Sequence, residues 1–143
     1  MSAQRLPLRT PGSAGSESTD SPATLWSMAV RRVVPDLESK SLEQATAFYT
    51  QVLGLQVVMD HGWIVTLAEP QRPDVQLSVM THDATAPVVP AASIQVDDVD
   101  AAYQAAQAVG AEIVHELTDE AWGVRRFFVR DPDGHVINIL AHD

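Results

Sequence analysis

The chain has 143 residues, 45% of them hydrophobic, and no cysteine, which describes one packed domain and excludes disulfides, thiolate nucleophiles and cysteine-based metal sites. Its net charge of −10 repels a phosphate backbone, so nucleic acid is not an expected partner; the same field attracts a cationic ligand, although acidic surfaces also serve solubility alone. No apolar run approaches the ~20 residues of a membrane span and no secretory signal is visible, so no membrane partner and a cytoplasmic location are expected.

Residues 1–28 read as a flexible tail, because Pro7, Pro11, Gly12, Ser13, Gly15, Ser16, Ser18, Ser21 and Pro22 leave little to bury and no period emerges. Arg5 and Arg9 balance Glu17 and Asp20 there, so the charge imbalance belongs to the rest of the chain.

Val30–Val34 is the first predicted strand and Ser41–Leu53 the first helix. Ser41 with Gln44 fits a capping box, Leu42, Ala45, Tyr49 and Val52 form an apolar stripe that Phe48 widens, and Gly54 suits a left-handed helix end. Core packing is the expected role of Phe48, Tyr49 and Tyr103. Strands follow at Leu55–Met59, Trp63–Ala68 and Val75–Met80.

The pattern then starts again. A strand at Ala92–Val96 leads to a helix over Asp98–Val109, capped by Asp98 and striped by Val99, Ala102, Tyr103, Ala106 and Val109, with Gly110 beyond. Glu112–His115, Val124–Arg130 and Val136–Leu140 are its strands, with a turn at Asp131-Pro132-Asp133-Gly134. Gly54-Leu55-Gln56-Val57-Val58 parallels Gly110-Ala111-Glu112-Ile113-Val114, and Val79-Met80-Thr81-His82-Asp83 parallels Ile139-Leu140-Ala141-His142-Asp143. The chain is therefore an α+β domain over residues 29–143, built from two βαβββ modules at about 29–83 and 90–143.

Three segments carry a family likeness. Ala47-Phe48-Tyr49-Thr50-Gln51-Val52-Leu53-Gly54-Leu55 resembles the first-helix end of the glyoxalase/bleomycin-resistance/dioxygenase (vicinal oxygen chelate) superfamily. Val96-Asp97-Asp98-Val99-Asp100-Ala101-Ala102 resembles the entry to its second helix, and Phe127-Phe128-Val129-Arg130-Asp131-Pro132-Asp133-Gly134-His135 its final hairpin. The resemblance implies eight strands curled into an open, incomplete barrel and a homodimer. It also implies a divalent ion held by His, Gln or Glu on the first strand of each module and by a Glu near the end of a last strand.

Carried onto this sequence, those positions fall at Ala91 and Asn138 in the second module. In the first they fall at Val34 or Ala29, depending on the count, with Gln76 or Ser78 as the last-strand partner. Val and Ala cannot coordinate a metal, and neutral amide or hydroxyl oxygens alone are weak donors to transition ions. No metal or other cofactor is expected. Of the histidines, His61 and His115 precede strands, His135 sits in the turn, and His82 and His142 close the two modules as symmetry mates.

Strand parity selects the cavity lining. Gln76, Ser78 and Met80 face inward opposite Leu77 and Val79, and Ala91, Ser93 and Gln95 face inward opposite Ile94 and Val96. Arg126 and Phe128 do so opposite Phe127 and Val129, and Val136, Asn138 and Leu140 opposite Ile137 and Ile139. Trp63 and Trp122, beside Gly62 and Gly123, are either cavity walls for a planar or cationic ligand or interface and core residues. Arg126 pairs with a ligand anion or with an acidic neighbour such as Glu120. The expected ligand-binding residues are Trp63, Gln76, Ser78, Gln95, Trp122, Arg126, Phe128 and Asn138; no catalytic residue is assigned, because no inward carboxylate or histidine emerges to act as acid or base. The leading expectation is a metal-free small-molecule-binding protein of the bleomycin-resistance kind that sequesters a cationic antibiotic or metabolite. The alternatives are a metal-dependent lyase, isomerase or dioxygenase with an atypical site, glyoxalase-like or extradiol in type, and a metal-free enzyme.

Overall fold

The computed structural model describes residues 28–142, so the expected tail, apart from Met28, lies outside the described residues. Eight strands and two helices follow in the order β1 (Val30–Glu38), α1 (Leu42–Leu53), β2 (Gln56–Asp60), β3 (Ile64–Glu69), β4 (Arg72–Met80), β5 (Ala92–Val96), α2 (Val99–Ala108), β6 (Glu112–Asp119), β7 (Val124–Arg130) and β8 (Val136–His142). This is the expected α+β fold, βαβββ twice over. No helix among the described residues is long and apolar enough to cross a membrane.

The strands form one open sheet in the order β2-β3-β4-β1-β5-β8-β7-β6. Each module uses its helix as a crossover, which makes β1–β4 and β5–β8 parallel. The modules meet along an antiparallel β1–β5 seam that pairs Val34 with Ser93 and Pro35 with Ala92. Asp36 sits opposite Ser78, and Ser93 opposite Asn138, each at the same distance before its helix cap. An approximate two-fold across the seam therefore matches Asp36 with Ser93, Ser78 with Asn138, and Val34 with Ala91.

Local chemistry accounts for the helix ends. Ser41 Oγ accepts from the N–H of Gln44 at 3.1 Å, and Gly54 closes α1 at φ 72°. The Ser41 N–H donates to Ser39 Oγ at 3.1 Å, an acceptor that a capping box would draw from the Gln44 side chain. Asp98 Oδ1 accepts from Ala101 N–H at 3.0 Å at the start of α2. The neighbouring acids act otherwise: Asp97 accepts from Ala29 N–H, and Asp100 pairs with Arg125 at 2.9 Å.

Each helix covers the convex face of its own module. Leu42, Ala45 and Tyr49 pack on Leu55, Val65, Leu67, Leu77 and Val79 in the first. Val99, Ala102, Tyr103 and Ala106 pack with Val96, Phe127 and Ile139 in the second, where Tyr103 meets Phe127 edge to face at 4.9 Å. Leu67 and Phe127 are fully buried, each contributing about 1.5–3 kcal/mol relative to exposure. The helical stripes are narrower and shorter than expected: Phe48 is 55% exposed although Tyr49 beside it packs, and Val52 (60%) and Val109 (80%) lie beyond Tyr49 and Ala106, the last packed residues of their helices.

Two strands run four residues past their expected ends: β6, expected to stop at His115, reaches Asp119, and β1, expected to stop at Val34, continues through Pro35 to Glu38. The proline interrupts no ladder. The Asp36 amide points to β5, donating to Ala91 O at 3.0 Å, so position 35 would direct its N–H toward β4, where pairing begins only at Asp36. The extra turn of pleat carries Asp36 onto the concave face.

Candidate functional site

The concave side of the sheet encloses a cavity of about 440 Å³, lined from both modules. Of the expected ligand residues, Trp63, Gln76, Ser78, Gln95, Trp122, Arg126 and Asn138 all line it. Phe128 does not: it is fully buried, under the Arg126 guanidinium at 4.8 Å and beside the His115 ring at 5.3 Å. Its inward parity is right, but Arg126 stands between it and the open space. On β3, Ile64 and Thr66 face the cavity while Val65 and Leu67 enter the core.

Trp63 and Trp122 form the wall, edge to face at 5.3 Å, with His61 6.5 Å and 6.4 Å from their rings. Each follows or precedes a glycine at positive φ (Gly62, 86°; Gly123, 91°), which lets the chain turn the indole inward where most residues would be strained. Gln76 donates its amide to Pro73 O at 2.8 Å.

Arg126 is a structural partner rather than a free cation. Its guanidinium reaches Asp83 twice, at 2.9 Å and 2.6 Å, and Glu120 at 2.8 Å, with Thr85 Oγ1 at 2.8 Å. His115 Nε2 lies 3.0 Å from the same Glu120 oxygen. Burial opposes charge on Glu120, but hydrogen bonds from Arg126, His115 and Thr85 outweigh it and hold the carboxyl below its ordinary range. Glu120 was legible as a neighbour on the β6–β7 turn; Asp83 was not, being 43 residues away on the connection between modules.

The floor is a polar row crossing five strands: Thr66, Ser78, Asp36, Ser93 and Asn138. Thr66 and Ser78 share a hydrogen bond of 2.7 Å. Asn138 Nδ2 donates to Ser93 Oγ at 2.9 Å, and Ser93 donates to Asp36 Oδ2 at 2.6 Å. Asp36 is 5% exposed, and burial pushes its carboxyl from 3.8 up to about 7; the Ser93 bond and Arg126 pull it down, and Asp83 pushes it up. The expectation that no carboxylate or histidine faces the cavity is corrected: Asp36, Asp83, His61 and His142 all line it. Period two from Val34 points to Asp36, but only if the strand is carried past Pro35. Asn138 Oδ1 is buried with no hydrogen-bond partner, a deficit of about 1–3 kcal/mol. Arg32 and His142 line the cavity, 3.4 Å apart, and Arg32 stands four residues along β1 from Asp36, about 13 Å at the rise of a strand.

The two-fold settles which first-module residue matches Ala91: it is Val34, with Ser78 as the partner of Asn138. These four positions supply two hydrocarbon side chains, a hydroxyl and an amide, which do not fit a divalent transition ion. No group of three His, Cys, Asp or Glu side chains among the described residues is arranged to hold one elsewhere.

The Glyoxalase/Bleomycin resistance protein/Dioxygenase superfamily matches residues 37–139. The chain belongs to this superfamily. A bleomycin resistance protein of Klebsiella pneumoniae is 25% identical over 122 residues, covering 78% of this chain and 93% of that one. Among solved structures, a member of the superfamily from Vibrio splendidus 12B01 aligns with TM-score 0.57 at 21% identity, over 80% of this chain and all of the other. An extradiol ring-cleaving dioxygenase from B. fuscum aligns at 0.60 and 21% identity, over 79% of this chain but 33% of that longer one. These structures share the superfamily fold, which hosts more than one chemistry.

Proposed function

We propose that this superfamily member is a small-molecule-binding protein of the bleomycin-resistance type, which holds a cationic ligand without a resident metal. One observation carries the reading: a carboxylate, Asp36, lies on the floor of a cavity walled by Trp63 and Trp122. Indole faces attract cations, and a buried carboxylate gains a counter-ion that its own protein partners do not supply. Arg126, the nearest guanidinium, is committed to Asp83 and Glu120. The net charge of −10 acts in the same direction at long range. The test is a thermal-shift screen of cationic antibiotics and metabolites, with and without EDTA, since a specific ligand raises the melting temperature. Stabilisation by cations that survives EDTA supports the reading; stabilisation only by anions, or only with an added divalent ion, sinks it.

A second reading has its own observation. A carboxyl raised to about 7 inside a cavity is a competent proton acceptor at neutral pH, which suits a metal-free enzyme. Turnover abolished by Asp36→Asn while ligand binding persists would favour catalysis over sequestration.

We also propose a homodimer. Val33 and Leu37 of β1 point to the convex side, and Phe48, Val52 and Leu53 of α1 on that side remain exposed, more apolar surface than a lone module needs to show.

A further inference from the structure

We infer that the floor of the cavity is a subsite for a nitrogen cation bearing N–H groups, an amidinium, guanidinium or primary ammonium, read jointly by the carboxylate of Asp36 and the amide oxygen of Asn138. This rests on the cationic-ligand reading above and narrows it from charge to hydrogen-bond pattern.

Asn138 spends an amide N–H on Ser93, and Ser93 spends its hydroxyl proton on Asp36 Oδ2. Both hydrogen bonds of this chain run toward the carboxylate and, the second Asn138 N–H aside, what the chain leaves over is acceptors. Asn138 Oδ1 is buried with no hydrogen-bond partner, and among the described residues Asp36 accepts its side-chain hydrogen bond through Oδ2, not Oδ1. Both residues are more than nine-tenths buried and line the cavity, on either side of the shared Ser93 hydroxyl. A ligand that only stacked, or only carried charge, would leave the Asn138 oxygen unpaired. A ligand presenting two N–H donors on one planar or tetrahedral centre would satisfy Asp36 Oδ1 and, once a small rotation of the Asn138 amide uncovers its buried oxygen, that oxygen too. Anions are disfavoured by the same acceptors. The charged groups facing Asp36 are Asp83 from the inter-module connection and Arg126 from β7, already paired with each other; Ser78 of β4 and Ser93 of β5 are neutral.

The experiment uses the full chain at pH 8 and three probes of similar size: benzamidinium, benzyltrimethylammonium and benzamide. Binding is followed by tryptophan fluorescence and by the indole N–H signals in NMR. Benzamidinium is expected to bind in the millimolar range, at least tenfold tighter than either of the others. Asp36→Asn should remove its advantage over benzamide, and Asn138→Ser should weaken it several-fold while leaving the quaternary ion unchanged. Equal binding of benzyltrimethylammonium and benzamidinium overturns the N–H subsite while leaving the cationic reading intact. Preference for benzamide, or no binding by any probe at millimolar concentration, overturns both. The comparison among probes is made on the unaltered protein, so the outcome does not depend on the variants folding.

Discussion

Ser93 donates its hydroxyl proton to Asp36 at 2.6 Å across the β1–β5 seam, so the floor carboxyl of one module is held by a residue of the other. The bond favours the carboxylate, yet burial outweighs it and the group titrates near neutrality. That balance makes stability pH-dependent with a definite sign.

Below about pH 4 the Asp36 carboxyl is protonated in folded and unfolded chains alike, and has no net effect. Between 3.8 and about 7 the unfolded chain has released the proton and the native one keeps it, so stability falls as pH rises. Above that window the loss is constant, at about 4 kcal/mol. Asp36→Asn removes the titration. It is expected to raise the Tm by roughly 5 °C or more at pH 8 and to leave it almost unchanged at pH 4. Calorimetry at the two pH values checks this; equal shifts at both would show that the effect is packing.

Cation binding should follow the same proton. A cation competes with the proton for Asp36, so affinity is expected to rise about tenfold from pH 6 to pH 8 and to level off above the neutral range. Isothermal calorimetry in buffers of different ionisation heat should detect protons released on binding near pH 7. A pH-independent affinity would remove Asp36 from the contact.

Arg126→Met should destabilise the fold by about 3–5 kcal/mol, because Asp83 and Glu120 would be left buried without their counter-charge. The accompanying Asp83→Asn and Glu120→Gln changes should recover much of that loss. Urea denaturation of the single and triple variants measures both, and a mild single variant would mean the acids escape to solvent.

Trp122→Ala opens the wall without touching the helix-backed cores. Ligand affinity should drop about tenfold, the scale of a desolvated cation–π contact, with little change in the urea midpoint. Unchanged affinity in a titration would place the ligand away from the indoles.

Val52→Asp places a charge on an exposed face of α1, where the monomer should lose no more than about 0.5 kcal/mol. The proposed homodimer should dissociate, as read by light scattering after size exclusion. A variant with unchanged mass would move the interface elsewhere.

Element types and their order were legible because several local signals agreed with a repeat: Ser41 and Asp98 at helix starts, Gly54 and Gly110 beyond their ends, and period-two runs such as Val75–Met80. Inward parity then placed Gln76, Ser78, Met80, Ser93, Gln95, Arg126, Asn138 and Leu140 on the lining, whereas Ala91, Phe128 and Val136 do not reach it. What escaped depended on distance or on context. Pro35 reads as a strand end unless the neighbouring strand's pairing is known, and Asp36 was lost with it. Asp83 joins Arg126 over a separation that no local pattern encodes. Helical period alone marks Val52 and Val109 as apolar-face residues, but the reach of the sheet beneath them is a tertiary fact.

The main-chain ladder between β1 and β5 is indifferent to side chains, and both halves of the cradle follow one backbone plan. Their chemistry differs: an acid in one half stands where the other has an alcohol, and an alcohol where the other has an amide. On the proposed cationic reading, a guest that could enter a symmetric cradle in two opposite orientations would meet here a single preferred heading, with its positive end toward the first half. Exchanging the two halves' side chains should reverse the guest and leave the cradle standing.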